Sequence, residues 1–333
     1  MATNRVARLA RRPRGMVTRG DFDIRDEPLA EPADGEFRVR VSHVSIDPAM
    51  RGWMNDARSY AAPVKLGDVM RALAVGHVEA SRHRAFKDGD AVSGIFGVQR
   101  YAISDGSGVS RVDETLAPMP TWLGGLGMPG LTAYFGLYDV ARPEAGETVV
   151  VSAASGAVGQ VVGQLAKMKG CRAVGIAGGP EKCRMVTEEF GFDAAVDYRA
   201  GDLAGQLEAA CPSGIDVDFE NVGGEVFDTV LAHMNPFGRI ALCGLISSYN
   251  ATEVPAGPAN IRYVLTMRLR MQGFIVSDFA ARYGEAIGAL SGWVKEDRLR
   301  FVTDVREGGV DAYPDVLNLL YTSGNRGKLV LAL

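Results

Sequence analysis

The sequence has little of the chemistry that binds metals or forms cross-links. Its 333 residues include only 4 histidines and 4 cysteines. Cys171, Cys183, Cys211 and Cys243 are widely separated, with no Cys-x-x-Cys pair; this excludes a dense disulfide framework and fits buried thiols in a reducing compartment. No apolar run approaches the roughly 18 residues needed to span a bilayer, and no signal-peptide core is visible. Neither a membrane partner nor export is expected, and the chain is assigned to the cytoplasm. Excess charge of one sign is missing too. The 36 Lys and Arg against 40 Asp and Glu leave a formal net charge of -4, without the broad basic surface that a nucleic-acid partner requires. What remains is an ordinary globular composition, 47% apolar and 23% charged, long enough for two domains with substantial cores.

Charge is uneven only at the start, where Arg5, Arg8, Arg11, Arg12, Arg14 and Arg19 precede the first acid. An organelle transit segment has that bias, but also a serine enrichment absent here. Arg12-Pro13-Arg14-Gly15 reads instead as a turn between two extended pieces, and this structural reading is preferred.

Up to about residue 124, short apolar stretches such as Phe37 to Val41 and Ala91 to Phe96 alternate with Gly, Pro and Asp clusters. That pattern predicts many short strands in an antiparallel, partly barrel-like lobe. From about residue 147 strands alternate with helices: strands at Glu147 to Ala153, Arg172 to Ala177, Ala194 to Asp197, Asp216 to Glu220 and Arg239 to Cys243, helices at Ala157 to Lys169, Lys182 to Gly191, Asp202 to Ala210 and Val226 to Met234. Continuous Val-rich strands separated by helices predict a parallel, doubly wound α/β sheet. Near the end, Tyr313 to Tyr321 has helical spacing, and Lys328 to Leu333 is a terminal strand that returns to the first lobe. The expected domains are residues 1–124 with 302–333, and residues 125–301.

The strongest local signal is Val149-Val150-Val151-Ser152-Ala153-Ala154-Ser155-Gly156-Ala157-Val158-Gly159, where a strand hands over to a helix. Gly156 lets the backbone approach a pyrophosphate, and Gly159 lets the helix pack on the strand. The first glycine of GxGxxG is replaced by Ala154, so the strand and helix context carries the assignment. About twenty residues on, where a carboxylate would select NAD, stands Ile176-Ala177-Gly178-Gly179, with no acid before Glu181. Lys182 follows as a cation for a 2'-phosphate, so NADP is favoured over NAD; Arg184 is equally well read as a solvated helix residue. Further cofactor contacts are expected at the strand ends carrying Asn221-Val222-Gly223-Gly224 and Cys243-Gly244-Leu245-Ile246-Ser247.

The first lobe has no cysteine, and its histidines are His43, His77 and His83. Gly76-His77-Val78-Glu79 is similar to the Gly-His-Glu of zinc alcohol dehydrogenases, but its acid is displaced by one residue and its thiolate partner is missing, so no metal is expected. A Gly-x-Ser-x-Gly elbow is absent. Negative charge on a substrate must then be met by hydrogen bonds alone. An enone suits this, because hydride attack at its β carbon gives a delocalised enolate that one donor can stabilise. Tyr249, in Ser247-Ser248-Tyr249-Asn250, is the candidate donor; the alternative is a half-buried tyrosine satisfied by backbone.

The sequence resembles the zinc-independent medium-chain dehydrogenase/reductases, and within them the leukotriene B4 12-hydroxydehydrogenase, prostaglandin reductase and alkenal double-bond reductase family, including bacterial NADPH-dependent curcumin reductase. The resemblance runs over essentially the whole chain. It rests on Ile46-Asp47-Pro48-Ala49-Met50-Arg51-Gly52, Ala153 to Gly159, Gly179-Pro180-Glu181-Lys182-Cys183, Glu220 to Gly224, Cys243 to Asn250, Met271-Gln272-Gly273-Phe274 and Gly324-Asn325-Arg326-Gly327-Lys328. It implies a Rossmann NADP-binding domain plus a mostly antiparallel GroES-like catalytic lobe, a homodimer, and NADPH-dependent reduction of enals or enones. By the same resemblance Ala154, Ser155, Gly156, Ala157, Val158, Gly159 and Gly178 hold the cofactor, Lys182 and Tyr198 lie at its 2'-phosphate end, and Asn221 reaches the ribose. Cys243, Gly244, Leu245, Ile246, Ser247, Ser248 and Tyr249 line the nicotinamide, with Phe274, Ile275 and Val276 beside it and Asn325 touching the cofactor. Met50, Arg51 and Tyr60 are implied for the substrate cleft. Ala49 departs from the family's aromatic residue, and Arg326 from its usual apolar one. The competing readings are a quinone oxidoreductase and a non-catalytic NADPH-binding protein.

Overall fold

The computed structural model describes residues 3–333. The chain forms two compact units, one running up to Gly124 together with Thr303–Leu333, the other Gly125–Val302.

The first unit opens with β1 (Thr3–Leu9) and β2 (Phe22–Pro28), paired antiparallel from Thr3 with Pro28 to Leu9 with Phe22. The arginines of this segment are spent within the unit. Arg5 is 2.7 Å from Asp311, Arg8 is 2.6 Å from Glu27 and Arg11 is 2.6 Å from Asp21, while Arg12 Nη1 donates to the carbonyls of Met54 and Val64. The turn between two extended pieces is thus a folded hairpin, with Arg5, Arg8 and Arg11 in ion pairs and Arg12 on backbone carbonyls.

Next come β3 (Phe37–Ser45), the short helix α1 (Ala49–Trp53), β4 (Leu73–Ser81), β5 (Ala91–Ile95), β6 (Tyr101–Ser104) and β7 (Ser110–Arg111). The two-residue period of a strand places Phe37, Val39 and Val41 of β3 in a core with Leu9, Ile46, Met50, Tyr313 and Leu331, and a register irregularity after Val41 brings Val44 into the same core.

The second unit begins with α2 (Met128–Phe135) and continues with β8 (Thr148–Ser152), α3 (Gly159–Met168), β9 (Arg172–Ala177), α4 (Pro180–Arg184), β10 (Ala194–Asp197), α5 (Leu203–Ala210), β11 (Ile215–Glu220), α6 (Gly224–His233), β12 (Met234–Leu242), α7 (Arg262–Thr266), β13 (Arg270–Gly273) and α8 (Tyr283–Lys295). Its sheet has the order β10-β9-β8-β11-β12-β13, with every pair parallel. All five residues of β8 are buried, as expected of a strand covered on both faces. Two differences from the sequence reading concern its end. β12 starts at Met234 rather than Arg239, because Met234 already pairs with Ile215 before a register shift at which Phe237 takes φ 66°. β13 is too short and polar to be legible as a strand.

The chain then returns to the first unit with β14 (Thr303–Arg306), α9 (Tyr313–Leu319) and β15 (Lys328–Ala332). β15 pairs antiparallel with β3, giving the order β14-β15-β3-β4-β5-β7 with β6 alongside β3. No helix of the described residues is long and apolar enough to cross a membrane.

Candidate nucleotide site

The strand order of the second unit reverses between β8 and β11, and ligands of doubly wound sheets gather at the carboxyl ends beside such a switch point. At the end of β8 the chain turns sharply through Ala153, whose φ of 50° is unusual for a residue with a side chain. The Gly156 amide closes the turn on Ala153 O at 2.8 Å, and Ala154 N bonds Ile176 O at 3.0 Å. A Cβ on Gly159 would run into Ala153 O and Ala154 Cα, so only glycine lets α3 start this close to the strand. Ala154 and Ser155 are buried, while Gly156, Ala157 and Val158 remain partly accessible. The first turn of α3 carries no acid, leaving its amide end suited to a phosphate. A dinucleotide's diphosphate fits this cradle.

At the end of β9, Gly178 lies against the Tyr198 ring, which a Cβ there would meet at 2.8 Å. Lys182 stands half-buried in α4, and Arg184 is exposed. Two residues that the sequence reading passed over join them. Asp197 Oδ1 accepts from Gly179 N at 2.8 Å and Arg199 N at 2.9 Å, and the Arg199 guanidinium sits 5.7 Å from the Tyr198 ring centroid.

At the switch point itself, Asn221 N donates to Ser152 Oγ at 2.7 Å and Asn221 Nδ2 to Ser152 O at 2.8 Å. The neighbouring Glu220 is fully buried. Its carboxylate accepts from Val222 N and, at 2.6 Å, from Gly223 N. Ser152 and Glu220 lie within motifs read from the sequence but were given no role there, although an acid at the end of a strand expected to be covered on both faces was a usable signal.

The segment after β12 leans on this turn. Ile246 N bonds Asn221 O at 3.1 Å and Ser247 N bonds Val222 O at 3.0 Å. The Leu245 amide donates to the Tyr249 hydroxyl at 3.1 Å, and a Cβ on Gly244 would stand 3.2 Å from that oxygen. Ser248 Oγ donates to Leu245 O at 2.8 Å. Burial pushes the Cys243 thiol up to about 12, so it is an inert packing group rather than a nucleophile.

The Phe274 ring packs edge-on against Phe219 with centroids 6.1 Å apart. Val276 packs against the Leu131 and Phe135 cluster, and Ile275, between them, is half-buried. Asn325 Nδ2 bonds Gly327 O at 2.9 Å in the turn before β15. Met50 is fully buried, with the Tyr313 hydroxyl 3.6 Å from its sulfur. Arg51, 2% exposed, donates to Gly15 O, Pro13 O and Asn55 Oδ1. Both face the first unit's interior, because one turn of α1 lies on the core. Tyr60 is exposed and accepts from Trp53 Nε1 at 3.0 Å. His77 is a surface residue, 2.9 Å from Glu114. No group of three His, Cys, Asp or Glu able to hold a metal ion is found among the described residues.

Residues 5–112 match the model described as the N-terminal domain of oxidoreductase, and residues 157–292 the one described as zinc-binding dehydrogenase. An NADPH-dependent curcumin reductase of Escherichia coli is 45% identical, with 98% of this chain and 96% of that protein covered. The chain belongs to the zinc-independent medium-chain dehydrogenase/reductases. A 2-alkenal reductase (NADP(+)-dependent) of Nicotiana tabacum, a further relative in this family, is 40% identical, with 95% of this chain and 94% of that protein covered. The solved structure of CurA in complex with NADPH from Vibrio vulnificus superposes with a TM-score of 0.93 at 43% identity, covering 98% of each chain. Medium-chain reductases keep the two-sheet design described above, one parallel and one mostly antiparallel.

Proposed function

We propose that this medium-chain reductase uses NADPH to reduce the carbon-carbon double bond of α,β-unsaturated aldehydes or ketones. The observation that carries the reading is the seat of Tyr249. Its hydroxyl accepts the Leu245 amide at 3.1 Å, within the segment tied to Asn221 and Val222 at the sheet's switch point. A phenol seated beside the segment that would face the nicotinamide is placed to stabilise the enolate formed when hydride reaches the β carbon. Bound NADPH would supply that hydride. The names of the curcumin and alkenal reductases support the same substrate class.

In this reading Ser155 to Gly159 hold the diphosphate, Asn221 meets the nicotinamide ribose, and Lys182 with Tyr198 holds the 2'-phosphate. We assign the nucleotide to the unit Gly125–Val302 and the shaping of substrate access to the other unit. A homodimer belongs to the same proposal. Its support is β13, which ends the parallel sheet, together with the exposure of Val254 at 96% and Leu265 at 80% in the same unit. Light scattering of the purified protein checks it, a monomer refuting this part.

The deciding experiment follows NADPH loss with alkenals, cyclic enones, curcumin-like diketones and quinones. Enals and enones are expected to be consumed fastest. Turnover of quinones alone would make the protein a quinone oxidoreductase, and binding without oxidation a non-catalytic NADPH-binding protein.

A further inference from the structure

The buried acids of β11 take no part in the chemistry described so far, yet one of them sits at the centre of the nucleotide site. Glu220 ends β11 with no exposed surface. One of its oxygens receives the amides of Val222 and Gly223. Ser152 Oγ accepts from Asn221 N, and the other Glu220 oxygen, Oε2, has no hydrogen-bond partner among the described residues. Gly223 and Gly224 come next with φ of 77° and 58°, so the turn directs successive amides inward in the manner of an anion-binding nest. Here the anion is the chain's own carboxylate.

The same turn supports the segment after β12. Asn221 O and Val222 O receive the amides of Ile246 and Ser247, Ser247 Oγ donates to Val222 O at 2.6 Å, and two residues on comes Tyr249. We propose that Glu220 is a positioning residue for the nucleotide: its buried carboxylate never meets the ligand, but fixes Asn221 and the Cys243 to Ser247 segment in the shape that receives the nicotinamide ribose. This rests on the NADPH reading above.

The groups facing Glu220 are few. From its own strand comes Asp218, two residues back on the same face and fully buried; from β8 comes Ser152; from the end of β12 comes the Cys243 thiol. Burial pushes Glu220 up to about 7 against the pull of the Gly223 and Val222 amides and Ser152. Charge-assisted bonds are roughly twice as strong as neutral ones, so protonation near neutral pH loosens the turn. Nucleotide affinity should therefore weaken as pH falls below about 7.

The test compares full-length wild type with Glu220→Gln, measuring NADPH affinity by fluorescence and enone turnover from pH 5.5 to 8.5, values chosen to bracket about one to two units around neutrality. At the alkaline end the variant should bind NADPH about tenfold more weakly, with kcat changed far less. Its affinity should also lack the wild type's loss toward acid. The 2'-phosphate titrates near pH 6 in both proteins, so only the difference between the two curves is read. Parallel curves, or equal affinity at the alkaline end, overturn the role of Glu220. If the variant does not fold, Glu220→Asp is used, which must bind more weakly yet keep an acid-side loss; wild-type-like affinity overturns the proposal. A wild type that binds NADPH at no pH overturns this inference together with the nucleotide reading.

Discussion

Lys328 Nζ lies 2.9 Å from Asp47 Oδ1 and gives a second bond to Ile46 O at 2.8 Å, with both side chains buried. Ser45 Oγ donates to the other Asp47 oxygen at 2.5 Å. The pair joins β15 to the end of β3 through two segments far apart in sequence. Replacing Lys328 by Met strands a buried carboxylate, which costs about 3–5 kcal/mol. Lys328→Met should therefore lower the denaturation midpoint sharply, and adding Asp47→Leu should restore most of it. A double variant as unstable as the single one would show that the pair is not coupled.

Tyr249→Phe removes the phenol and leaves the ring. Enone turnover should fall about 100-fold or more, the scale of losing one oxyanion donor, while NADPH affinity stays within about twofold. Equal turnover in both proteins removes Tyr249 from the mechanism.

Lys182→Ala should raise the Michaelis constant for NADPH roughly 10- to 100-fold, the worth of a hydrogen bond to a charged group, and leave that for NADH nearly unchanged. A similar loss for both nucleotides would show that Lys182 does not read the 2'-phosphate. Arg199→Ala, on the Tyr198 ring, should act in the same direction and less strongly.

Neither oxygen of Asp218 has a hydrogen-bond partner among the described residues, and the residue sits between Val150 and Ile240 of the flanking strands. Burial, then the neighbouring Glu220, holds its carboxyl well above the ordinary range, and Glu220 is raised as well. Carboxyls raised in the folded state bind protons more tightly than in the unfolded one. Their contribution is fully present below about pH 4 and is lost as pH rises toward 7. Asp218→Val should stabilise the protein by about 1–3 kcal/mol at pH 8, with the gain shrinking toward pH 4. Melting curves across this range check it; no gain at pH 8 would mean that the carboxyl is satisfied where it stands.

Periodicity sufficed for most of the second unit because β8 and β9 are apolar runs of strand length next to helices. Its boundaries moved only where a local device intervened, as at Phe237, or where an edge strand such as β13 had too few apolar residues to register. The glycine turn was legible because close packing leaves no alternative to Gly159. Membership in a recognisable motif says nothing of which way a side chain faces: Met50 and Arg51, expected at a substrate cleft, are both buried in the first unit.

Composition and spacing alone determined the alternating architecture and the glycine turn that ends β8, since each depends on residues near one another along the chain. The Asp47–Lys328 pair, the Ser152–Asn221 bridge and the approach of Asp197 to Gly179 were decided only by the tertiary fold. They join strands distant in sequence, and whether a buried charge finds its partner depends on register and packing that no local pattern specifies.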